Sequence, residues 1–154
     1  MKLTVDDFKQ ALDDLYNDSL HTSGLPALMV SHETYAKLQS EVARVTDLID
    51  ERLLATALLN RSCYSADDDW PNEIDPRPLV EARAIPVSSK TLSIACESAG
   101  RLSGSGLSTA DKAGIVVEAT LKVWLREPEA YRDQIVREFD LYHSKRKKGD
   151  VKEA

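Results

Sequence analysis

The chain has 154 residues, 42% hydrophobic and 30% charged, with a net charge of −6 and only two cysteines. A chain of this length fits one domain and buries roughly two-thirds of its unfolded surface, so a core is expected without disulfides or metal. This composition excludes a disordered chain, a disulfide-stapled secreted domain and a membrane span of about 18 apolar residues, and its acidity opposes non-specific nucleic-acid binding.

Met1 to Asp7 contains no apolar leader, so the expected location is the cytoplasm, with Cys63 and Cys96 reduced. Thr4 followed by Asp7 reads as a capping box, and Val5, Phe8, Leu12, Leu15 and Tyr16 give a helix over about 5–18, ended near Gly24. Leu25 to Val30 is a short apolar run, after which Ser31 caps the next element. Tyr35, Leu38, Val42, Val45 and Ile49 recur three and four apart, and Leu48, Leu53, Leu54, Ala57 and Leu58 widen the stripe. With neither Gly nor Pro inside, the pattern predicts one long helix over 32–59.

Residues 60–78 read as a loop carrying three prolines and an acidic cluster. Leu79 to Val87 reads as a short strand or a helical turn ended by Pro86, and is a candidate to pair with 25–30. Ser88 or Ser89 opens a helix to about Leu102, and Gly100, Gly104 and Gly106 interrupt the chain. Ser108 to Asp111 is a capping box for a helix over 109–126 that is apolar nearly all round and belongs at the centre of the fold. Pro128 suits the first turn of a last helix with Tyr131, Ile135, Val136, Phe139 and Tyr142 inward.

The familiar chemical motifs fail on spacing. A calcium loop begun at Asp67 has Pro71 at position five and Pro78 at position twelve, where oxygen ligands are needed. The cysteines and histidines form no half-site for zinc. The glycines around Gly104 lack the Lys-Ser/Thr end of a phosphate loop, and Asp111 and Glu118 make the helix that follows a poor DNA reader. No cofactor is expected. The loop acids Asp67, Asp68, Asp69, Glu73 and Asp75 surround Trp70, a combination suited to a protein partner with a basic surface. Leu54, off the main stripe, is a candidate for the same surface. The basic run Lys145 to Lys148 is the one segment suited to nucleic acid.

Two resemblances add to this reading. Arg137 and His143, separated by five residues in the last helix, resemble the Arg-x4–6-His motif of the HEPN ribonucleases. That resemblance implies acid–base and phosphate-stabilising roles for the pair, although Glu138 stands where the family carries a non-acidic polar residue. Leu48 to Ala55 with the acidic, proline-containing loop is similar to bacteriophage head–tail connector proteins, as is an apolar helix ending at Trp124. The expectation is an all-α bundle of about five helices over 1–144 with a charged tail over 145–154. Its expected function is a non-enzymatic protein-interaction or structural module, connector-like or host-factor binding, with a protein partner or a second copy. The alternatives are a HEPN-like helical ribonuclease and an acidic inhibitor offering carboxylates to a basic groove.

Overall fold

The computed structural model describes residues 2–21, 26–45, 49–64, 79–98 and 106–153. They form α1 (Val5–His21), β1 (Ala27–Val30), α2 (His32–Val45), α3 (Glu51–Tyr64), β2 (Arg83–Pro86), α4 (Ser89–Ser98), α5 (Thr109–Arg126) and α6 (Glu129–Glu153). The fold is mostly helical, and the two strands, from the runs 25–30 and 79–87, pair antiparallel. Among the described residues, no helix is long and apolar enough to cross a membrane.

The helix starts follow from side chains that accept from the first-turn amides. Ser31 Oγ accepts from Thr34 N at 3.2 Å, Ser88 Oγ from Thr91 N at 3.2 Å, and Ser108 Oγ from Asp111 N at 3.2 Å. In α1 the carboxylate of Asp7 reaches back to the Thr4 amide at 2.6 Å and to its hydroxyl at 2.9 Å.

The single helix expected over 32–59 is two helices. Ile49 and Asp50 are non-helical, and Asp50 Oδ1 accepts from Leu53 N at 2.8 Å. An N-cap side chain inside an apolar stripe restarts the helix there, because it satisfies an amide that would otherwise bond to a preceding carbonyl. Leu54 and Leu58, which lie off the Tyr35–Ile49 stripe, belong to the second of these helices. Both are 2% exposed. α3 is buried without interruption from Leu53 to Asn60 and shares the centre with α5. At the other end, the α6 backbone continues through 145–153, the segment expected to form the charged tail.

α1 and α6 close one side of the core. Phe8 lies 5.6 Å from the Phe139 ring and 6.4 Å edge-on from Trp124. Tyr131 donates its hydroxyl to Leu3 O at 3.1 Å, tying the N-terminal arm to α6. A buried polar chain crosses three helices: Thr91 Oγ1 donates to Asn60 Oδ1 at 2.6 Å, Asn60 Nδ2 donates to Asp14 Oδ2 at 3.3 Å, and Gln10 donates to Asp14 Oδ1 at 3.0 Å.

Burial pushes the Asp7 carboxyl above its usual value of 3.8, against the Thr4 hydrogen bonds and Arg61, which lower it. A carboxyl with a raised folded pKa binds more protons folded than unfolded. Its contribution is therefore full below 3.8 and is lost as pH rises through the folded value. Asp7→Asn keeps the acceptor oxygen and removes the titration. The expected result is a flatter stability profile just above pH 3.8, checked by urea midpoints taken across that window. An unchanged slope would show that Asp7 does not titrate differently in the two states.

Candidate interaction surface

Gly114 of α5 allows β1 to reach the helix. A Cβ at this position would overlap the Met29 carbonyl oxygen and lie 2.6 Å from its carbon. The backbone of β1 therefore packs directly on the α5 backbone, and this contact fixes the sheet on the molecule.

The register places Ala27 opposite Pro86, Leu28 opposite Ile85, Met29 opposite Ala84 and Val30 opposite Arg83. Leu28, Val30 and Ile85 turn into the core. The alternate positions turn outward, where Ala27, Ala84 and Pro86 are exposed and Met29 is half-buried. A sheet with one solvated face ordinarily alternates apolar-in and polar-out. All four outward side chains here are apolar. Ala82, just ahead of β2, is also exposed, and Val80 is 73% exposed. Between them Glu81 adopts φ 48°, a left-handed conformation unusual for a non-glycine residue, and turns the chain into β2.

The two edges of the sheet differ. Val87 N donates to Pro26 O at 2.9 Å. Hydrogen-bonded and non-bonded pairs alternate along an antiparallel ladder, so the pairs 28/85 and 30/83 are bonded and 29/84 is not. The Met29 peptide groups consequently point away from β2, which agrees with the Met29 carbonyl meeting Gly114. α5 thus covers the β1 edge. On β2 the Ala84 N–H and C=O point outward, and neither has a hydrogen-bond partner among the described residues. Arg83 beside it is exposed and forms no ion pair among the described residues.

A cleft of about 400 Å³ lies between α2 and the α5–α6 corner and is lined in part by Lys37, Glu41, Arg44, Glu129 and Arg132. Its charges neutralise one another. Arg132 Nη1 meets Glu41 Oε2 at 2.6 Å, Arg44 Nη2 meets Glu41 Oε1 at 3.0 Å, and Arg44 Nη1 meets Asp133 at 2.7 Å. The hydrogen bonds to Glu41 hold the Arg44 guanidinium above its already high value. With Glu41 and Arg132 both buried, the cleft is a joint between α2 and α6.

Of the residues singled out from the sequence, those the structure describes do not come together. Asp67, Asp68, Asp69, Trp70, Glu73 and Asp75 lie outside the described residues. Leu54 lies in the core of this chain, inaccessible to a partner while the fold is intact. Arg137 is exposed and donates from Nε to Asp133 O at 3.3 Å, while His143 packs on Phe139 with ring centroids 5.9 Å apart. At about 100° per residue, the step of six positions from Arg137 to His143 sets the two roughly 120° apart around α6. They do not converge within one chain. Lys145 is exposed, and the side chains of Arg146, Lys147 and Lys148 lie outside the described ones. Among the described residues, no three His, Cys, Asp or Glu side chains group as metal ligands.

Sequence reading missed Ala84, Arg83 and Gly114. One signal was present: residues 27–30 are apolar without alternation, so whichever face turned outward would be apolar too. No protein-family model, curated protein or solved structure matches this chain.

Proposed function

We propose that this chain is a non-enzymatic protein-interaction module whose partner docks on the outward face of the β1–β2 sheet. The observation that carries this reading is the all-apolar face of Ala27, Met29, Ala84 and Pro86, presented beside a strand edge that has no hydrogen-bond partner at Ala84 among the described residues. Contiguous exposed apolar surface is a recurring mark of interaction sites. The face sits on a backbone contact with α5, so docking needs no ordering of a loop, a cost that otherwise reduces affinity.

A photo-crosslinking amino acid at Ala27 or Ala84 is expected to give one discrete, saturable adduct in the native host. The same label at Leu141, 63% exposed on α6, is expected to give none. Ala84→Lys should abolish the Ala27 adduct while changing stability by less than about 0.5 kcal/mol, as for other exposed substitutions. Equal yield from the α6 position, or an adduct indifferent to Ala84→Lys, rejects this face as the docking surface.

A further inference from the structure

We infer that the partner enters as an extended strand added antiparallel to β2, with a carboxylate opposite Arg83; this deepens the interaction-module reading and rests on it. The β2 edge presents the Ala84 N–H and C=O outward without partners among the described residues, the requirement for strand addition. Pro86, an outward position of the same edge, has no N–H to give, so the added strand is short and bonds chiefly around Ala84.

The side chains set the pattern of the incoming strand. Residues opposite Ala84 and Pro86 continue the outward face and are apolar. The residue opposite Arg83 meets an exposed guanidinium that forms no ion pair among the described residues, and a carboxylate complements it. A second copy of this chain fits less well. Two β2 strands paired about Ala84 would set the two Arg83 side chains on a diagonal about 7–8 Å apart, in chains that each carry −6.

The test is an NMR titration of the full chain with the synthetic probe acetyl-Val-Thr-Val-Glu-Val-Thr-amide, which places Val opposite Ala84 and Glu opposite Arg83. The Ala84 amide is expected to shift saturably, with β1 amides little affected. N-methylation of the central Val removes the donor to Ala84 O and leaves the protein unaltered; it should weaken binding about tenfold. Lys in place of Glu should weaken it about threefold, the scale of an exposed ion pair, and Arg83→Glu should reverse that preference. Ala84→Pro removes only an outward N–H and should abolish binding while the β1–β2 ladder persists.

Absence of saturation, or equal binding of the N-methylated probe, overturns the inference. So does an Ala84 amide that shifts with protein concentration alone, together with a dimer in sedimentation, because the occupant is then a second copy. If adducts form at Ala27 and Ala84 but the probe does not bind, the docking face stands and strand addition falls. If neither occurs, both fall.

Discussion

Gly114→Ala is expected to lower stability by about 3 kcal/mol, a large fraction of the roughly 5–15 kcal/mol that holds a typical domain folded. Two effects oppose each other. Alanine is the better helix former by about 1 kcal/mol, which favours the substitution in an isolated helix. Against this, the new methyl would occupy the place of the Met29 carbonyl, a backbone group held by the β1–β2 ladder. A flexible side chain would swing aside, but a strand cannot. Relief requires β1 to leave α5, which exposes Leu28 and Val30. Urea denaturation followed by circular dichroism measures the outcome. A variant as stable as the original would show that β1 lies farther from α5 than the geometry places it.

The second large effect is expected at the α2–α6 joint. Glu41→Leu leaves the Arg132 guanidinium, 8% exposed, without its counter-charge at 2.6 Å. Removing one member of a buried pair costs about 3–5 kcal/mol, whereas replacing both with apolar groups is often neutral. Glu41→Leu with Arg132→Met should therefore recover most of the loss, and Arg44 keeps Asp133 in either background. The four denaturation midpoints of this cycle decide the matter. If the single variants add without coupling, the joint is held by packing alone.

These residues show where the sequence was legible. Thr4, Ser31 and Ser108 act over three residues, and local spacing exposes them. The α5 boundaries and the α6 stripe followed from periodicity for the same reason. The break at Asp50 was hidden because apolar residues continue at helical intervals on both sides of it, and one carboxylate decides the outcome. Glu41 and Arg132 are 91 positions apart, so nothing local marks them as partners. Gly114 sits in an apolar run, and only the approach of β1 explains its missing side chain. The sheet surface was half visible: its two runs were recognisable as candidates to pair, but which alternate residues turn outward depends on a register fixed elsewhere in the fold.

The Asp14–Asn60–Thr91 chain has a consequence for motion. Asn60 satisfies both ends of its amide only when α1 and α4 are seated against α3 together. Withdrawal of either helix strands a buried polar group, which costs about 1–3 kcal/mol in addition to the apolar surface exposed to water. Partial opening is thereby disfavoured relative to opening of all three at once. Amide hydrogens in the middles of α1, α3 and α4 should exchange with a common free energy and a common response to denaturant, as one cooperative unit.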